Sequence, residues 1–458
     1  MEKLFFKNKL REVSIRILFL LLLPVIFLIA NCTGSADKFN SLPCGDDLSI
    51  IKRVKTLSDT NQQYHLYLPS DYDQSKHYPL ILAFDPHGDG LLPVKLVQKY
   101  AEKYGYIVAG SDNSANGISN LQYVLQSLYN DVTTRYAVDK NRMYTLGFSG
   151  GARVAGLMAL YFPGVKGVAG AGAGFQGNGD VSGKKFTYIG FCGTKDFNYP
   201  EMLASRMALS KAGIDNTLFT FEGNHAWPSD TLLEEAFLWF RIKDMKNGII
   251  KSDHSFVKYV KQQLDKDIRY TKDNPLRQAE SFQHAIAFLD GLENTDAYKK
   301  QLNELEQKVV FRQQFRKANR LLQLEQELRE QYFTKIRTAD TTWWKNEVQS
   351  LRSKIESEKD PLKLAMYQRT INYLSIISYS FSSRALSEGN YNQADRFLTI
   401  YRIVDPKNPD QLYMNAKLNY HNGYKEQTLR LIRQALSNGF TDKSKIAKDF
   451  PDLDLNKL

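Results

Sequence analysis

The stretch Tyr144-Thr145-Leu146-Gly147-Phe148-Ser149-Gly150-Gly151-Ala152-Arg153 constrains this chain more than any other. It reads G-x-S-x-G. The apolar run Met143 to Leu146 enters it, and a small-residue helical pattern, Ala152 to Leu160, leaves it. A strand that becomes a helix within so few residues must turn tightly. Glycines two before and two after the serine, Gly147 and Gly151, remove side chains that would clash across such a turn. The turn lifts the serine hydroxyl out of a sheet to where an imidazole can reach it. It also aims the Gly150 N–H at the place where an oxyanion would form. The alternative is a glycine-rich βα turn with an incidental serine. If Ser149 is a nucleophile, the rest of the chain must supply a base, an acid and a second oxyanion donor.

The flanking sequence predicts a sheet able to carry such a turn. Gln63 to Pro69 alternates like a strand, and Tyr78 to Phe84 is a continuous apolar run suited to a buried central strand. Tyr106–Gly110, Val165–Ala173, Lys185–Phe191 and Thr217–Phe221 read as further strands. Helical patterns lie between or after them, at Leu96–Tyr104, Ile118–Tyr136, Met202–Ala212 and Leu232–Ile242. Strands alternating with helices in this way predict an α/β unit, a doubly wound and mostly parallel sheet covered on both faces, over residues 59–248.

The chain has seven histidines, and four follow Ser149: His225, His254, His284 and His421. Only His225 sits just past a predicted strand, so position selects it as the base. The alternative for His225 is a loop histidine packed on Trp227. Asp196 ends the preceding strand and is the preferred acid, orienting the imidazole and stabilising its protonated form. Asp180, in a glycine-rich loop, and Asp215, at the wrong end of the last strand, compete with it. The intervals from Ser149 to Asp196 and on to His225, 47 and 29 residues, leave room for the intervening elements. The second oxyanion donor is expected in the loop Pro86-His87-Gly88-Asp89-Gly90, as the amide of Gly88 or Asp89. His87 precedes the nucleophile and is read as structural or substrate-contacting. Asp85 and His87 lack the partners of a metal site, and no metal or cofactor is expected.

Residues 60–245 resemble an α/β-hydrolase esterase of the polyhydroxybutyrate depolymerase and feruloyl esterase group. Val138-Asp139, Arg142-Met143-Tyr144 and Gly147-Phe148-Ser149-Gly150-Gly151 resemble that group's approach to its serine, and His225-Ala226-Trp227-Pro228 resembles its His-x-Trp-Pro ending. The resemblance implies ester hydrolysis through an acyl-enzyme, with Ser149, Asp196 and His225 as the triad. The chain lacks the group's usual cysteine pairs and adds a long extension. Only a short segment, Phe175 to Lys184, stands where many members insert a cap. An open site of this kind suits a bulky or polymer-borne ester, unless the extension covers it.

Beyond about residue 250 glycine and proline become scarce, and Gln, Glu, Lys, Arg and Leu dominate. A helical region, 249–374, is expected first. Residues 375–458 resemble tetratricopeptide repeats: Gly389-Asn390-Tyr391, Ala394 and Asp405-Pro406 form one copy. Gly423, Thr428 and Ala435 mark a weaker one, with 34 residues between Gly389 and Gly423. Such repeats imply a protein partner or packing against the neighbouring domain. The alternative is a generic array of helical hairpins.

The first 31 residues are expected to be a targeting segment. Lys3, Lys7, Lys9, Arg11 and Arg16 precede the apolar run Ile17 to Ala30, which is short for a membrane span. Leu28-Ile29-Ala30-Asn31-Cys32 resembles a lipoprotein signal, with Cys32 lipidated, although Asn31 departs from the usual small residue. A cleaved secretory signal and an uncleaved anchor are the alternatives. Each sends the chain to the cell envelope or beyond, with 32–58 as tether and first strand. In an oxidising compartment Cys44 and Cys192 can pair. The net charge of +11 is spread through the chain rather than clustered, so nucleic acid is not an expected partner. Three readings remain: a serine esterase, a serine peptidase of the same fold, and a degenerate hydrolase scaffold that binds a partner.

Overall fold

A computed structural model describes residues 50–175, 181 and 183–453. The targeting segment, Cys32, Cys44 and Asp180 lie outside the described residues. Among the described residues eight strands form one sheet: β1 (Ile50–Lys55), β2 (Gln63–Tyr67), β3 (Tyr78–Phe84), β4 (Ile107–Ser111), β5 (Val138–Phe148), β6 (Val165–Ala171), β7 (Thr187–Gly193) and β8 (Asp215–Phe221). Their order across the sheet is β1-β2-β4-β3-β5-β6-β7-β8. β1 pairs antiparallel with β2, and β2 with β4; every other pairing is parallel.

Five helices cover the two faces: α1 (Leu91–Tyr104), α2 (Leu121–Arg135), α3 (Gly150–Tyr161), α4 (Tyr199–Lys211) and α5 (Asp230–Lys246). Side chains alternate along each strand, so one strand feeds two cores. Ile81 and Ala83 of β3 point to one face, with Val94 and Val97 of α1 and Phe237 and Phe240 of α5. Leu80, Leu82 and Phe84 point to the other, with Leu128 of α2 and Val154 and Met158 of α3. β3 is buried along its whole length, as its unbroken apolar run requires. The expected fold, a doubly wound and mostly parallel sheet followed by helices, is the one observed.

Ten further helices follow among the described residues: α6 (His254–Tyr270), α7 (Pro275–Leu289), α8 (Asp296–Gln307), α9 (Val309–Thr338), α10 (Thr341–Ser357), α11 (Pro361–Ser387), α12 (Tyr391–Val404), α13 (Pro409–His421), α14 (Lys425–Ser437) and α15 (Lys443–Asp449). Val257, Val260, Phe282 and Phe288 of α6 and α7 join the same core as α1 and α5. The Asp360-Pro361 dipeptide starts α11: the Asp360 side chain accepts from the Lys363 N–H, and proline fills a first-turn position whose own N–H would have no partner. Gly389 and Gly423 each follow a helix at positive φ, where a side chain would be strained. Ala394 of α12 and Thr428 and Ala435 of α14 are fully buried. No helix among the described residues is long and apolar enough to cross a membrane.

Candidate active site

Ser149 follows β5 directly and caps α3, with φ 51° and ψ −119°. Only one other described residue besides glycine, Arg53, has positive φ. A non-glycine backbone in this region costs on the order of 1–3 kcal/mol, and it persists only where its surroundings impose it. Here they do. The Ser149 N–H donates to Ala171 O of β6 at 2.8 Å, and its carbonyl accepts from the Ala152 N–H at 3.0 Å. A Cβ on Gly147 would lie 2.1 Å from Gly151 O, and one on Gly151 would lie 2.1 Å from Phe84 O. Both flanking glycines are therefore needed for β5, α3 and β3 to approach one another.

His225 lies in the loop after β8 and Asp196 in the loop after β7. Asp196 Oδ2 is 2.8 Å from His225 Nδ1, and His225 Nε2 is 3.0 Å from Ser149 Oγ. An ionised carboxylate only accepts, so it draws the imidazole proton to Nδ1 and leaves the Nε2 lone pair facing the serine hydroxyl. The other Asp196 oxygen accepts from the Asn198 N–H at 2.8 Å, so both carboxylate oxygens are held. Asp196 is 0% exposed and His225 6%. The imidazole packs between Phe148 and Phe197, at centroid distances of 4.7 and 4.5 Å. The structure brings Ser149, His225 and Asp196 together. Asp215, the other described candidate acid, starts β8 and pairs with Lys243 instead.

The loop after β3 is organised by Asp85, which is buried. Its Oδ1 accepts from the His87 N–H at 2.9 Å and lies 3.1 Å from His87 Nδ1. Its Oδ2 accepts from Trp227 Nε1 at 3.2 Å, tying this loop to the one that carries His225. The hydrogen bond to Asp85 raises the His87 pKa above its ordinary value against the opposing effect of burial, helped by the charges of Asp85, Asp410 and Asp89. The Gly88 N–H donates to Asp85 O at 3.1 Å and closes a turn, whereas the Asp89 N–H has no hydrogen-bond partner among the described residues. Cys192 in β7 is a buried free thiol whose pKa burial pushes well up. Among the described residues, no cluster of three or more His, Cys, Asp or Glu could hold a metal.

Several contacts at the site have no sequence signal. Asn116 stands beside Gly150, so close that a Cβ on that glycine would meet its side chain. Arg369 and Asn372 of α11 and Arg329 of α9 reach the Thr194–Phe197 loop from up to 177 residues away.

No protein-family description matches the chain, and no curated protein matches it. Solved structures resemble part of it. A fluorophosphonate-binding serine hydrolase of Staphylococcus aureus, FphF, is 17% identical, covering 42% of this chain and 96% of its own, with a TM-score of 0.34. S-formylglutathione hydrolase of the same organism is 17% identical, covering 39% and 92%, at 0.32. The feruloyl esterase module of Clostridium thermocellum is 14% identical, covering 41% and 84%, at 0.34. These likenesses are loose, and the reading of the site rests on its own geometry.

Proposed function

We propose that the chain is a serine hydrolase that cleaves carboxylic esters through an acyl-enzyme. The observation that carries this reading is the continuous hydrogen-bonded path from Ser149 through His225 to a fully buried Asp196, set on a strained turn. His225 Nε2 takes the hydroxyl proton as Ser149 Oγ attacks the acyl carbon, and Asp196 stabilises the imidazolium that forms. The oxyanion rests on the Gly150 N–H and on an amide of the loop after β3. Asp89 suits that second role better than Gly88, whose N–H is already engaged. The imidazolium then gives its proton to the departing alcohol. Water, deprotonated by the same nitrogen, releases the acid and restores Ser149.

Ester rather than amide cleavage follows the His225-Ala226-Trp227-Pro228 resemblance. Turnover of short acyl nitrophenyl esters, run beside peptide substrates and lost in Ser149→Ala, tests it. Peptide turnover alone would replace esterase with peptidase, and no turnover of either class would leave a binding scaffold. The Cys32 motif supports a lipid-anchored place in the cell envelope, with palmitate labelling at Cys32 as its test. The Gly389 and Gly423 hairpins support tetratricopeptide-like packing able to hold a protein partner.

A further inference from the structure

The loop that carries Asp196 is held from two sides. The N–H groups of its first three residues are satisfied within the sheet unit: Thr194 donates to Phe221 O at 2.8 Å, Lys195 to Gly223 O at 2.9 Å and Asp196 to Gly193 O at 3.1 Å. Of its four carbonyls, only that of Asp196 is satisfied locally, by the Tyr199 N–H at 2.9 Å. The other three accept from the downstream helices. Arg369 Nη1 donates to Thr194 O at 2.7 Å, Asn372 Nδ2 to Lys195 O at 3.1 Å and Arg329 Nη2 to Phe197 O at 2.7 Å.

The two arginines are themselves fixed. Glu325 of α9, 0% exposed, accepts from Arg369 Nε and Nη2 at 2.9 and 2.6 Å through one oxygen. Its other oxygen accepts from Arg329 Nη2 at 2.5 Å. Arg369 also lies over the Tyr199 ring at 4.8 Å, and Arg329 over the Tyr373 ring at 4.7 Å. A planar guanidinium held by a carboxylate can present its remaining N–H groups in one direction only. Two guanidinium groups around one carboxylate is an expensive arrangement to bury, and simple packing of two domains would not need it. Its outward hydrogen bonds to the sheet unit fall on Thr194 and Phe197, within two residues of Asp196.

We infer that Arg369, Arg329 and Asn372 are positioning residues: the helical half fixes the Thr194–Phe197 main chain so that Asp196 meets His225. The inference rests on the reading of Ser149, His225 and Asp196 as a triad. It makes the helices part of the active site's construction. A shift of about 1 Å in such a group can cost about 100-fold in rate.

The test uses the full chain with Arg369→Lys, Asn372→Leu and both together. Four quantities are read: kcat and KM on a short acyl nitrophenyl ester, the melting temperature, and the low-field proton NMR signal of His225 Nδ1–H. The expected result is a fall in kcat of about tenfold in each variant and about 100-fold in the pair, with KM within about twofold. The melting temperature stays near that of the parent, and the low-field signal shifts or broadens away. Asn372→Leu disturbs no charge, so it decides alone if Arg369→Lys does not fold. Parental kcat and an unchanged low-field signal in folded variants would overturn the inference. The NMR signal needs no substrate. If the parent cleaves no ester yet its signal is lost in the variants, the ester reading falls and the positioning role stands.

Discussion

The carboxylate of Asp196 sits 2.8 Å from Nδ1 of His225 and is closed off from solvent. That pairing fixes the tautomer of the ring and holds its other nitrogen towards Ser149. Asp196→Asn keeps the shape and removes the charge. We expect kcat to fall by about 10⁴-fold with the fold intact, as removal of the acid's charge does in serine proteases. Steady-state kinetics on the nitrophenyl ester, with circular dichroism as the control, checks this.

Gly151 is held against the end of β3. A Cβ there would lie 2.1 Å from Phe84 O, a backbone atom that cannot rotate away. Gly151→Ala should cost about 1–3 kcal/mol in urea denaturation. It should also lower kcat, because the displaced helix start carries Ser149.

The Arg369 and Glu325 pair lends itself to a double-mutant cycle. Arg369→Leu strands a carboxylate that is 0% exposed, with only Arg329 left to neutralise it. We expect a loss of about 3–5 kcal/mol. Adding Glu325→Leu should restore part of that stability: it removes the stranded carboxylate but leaves Arg329 without its carboxylate partner. Urea unfolding of the single and double variants measures both steps.

His284 of α7 is buried between the helices and the sheet, stacked on Phe219 with its Nε2 2.9 Å from Leu218 O. Burial pulls its pKa down from 6.5 to about 4. Above pH 6.5 the ring is neutral whether folded or unfolded, and its contribution is fully present. As pH falls from 6.5 towards 4 only the unfolded chain takes up the proton, so stability is lost. The loss approaches roughly 3 kcal/mol. His284→Gln gives up the ring stack and is less stable at pH 8, but its stability should fall less steeply across this window. Urea midpoints at pH 8, 6 and 4.5 decide it.

The sheet was legible because its strands are short apolar runs with punctuated ends, and Ser149 because the turn leaves a local imprint, glycines on both sides. His225 followed from its place after a strand. Element ends were less legible. α1 begins at Leu91 rather than Leu96, since Pro93 is tolerated in a first turn. β5 begins at Val138, its polar first half joining the sheet ahead of the apolar run. The contacts of Arg329, Arg369 and Asn372 leave no such imprint. Each is one polar residue on a long helix, and only the folded chain brings it to Thr194, Lys195 or Phe197. The Gly88 turn was also invisible, because the choice between two neighbouring amides depends on where Asp85 O points.

The proposed ester cleavage requires an activated nucleophile at Ser149. The most direct measurement is mass spectrometry of the folded full chain after treatment with a fluorophosphonate. A single adduct on the peptide containing Ser149, absent in Ser149→Ala and strongly slowed in His225→Ala, is the predicted result. A folded chain that takes up no adduct at Ser149 would rule out an activated nucleophile there.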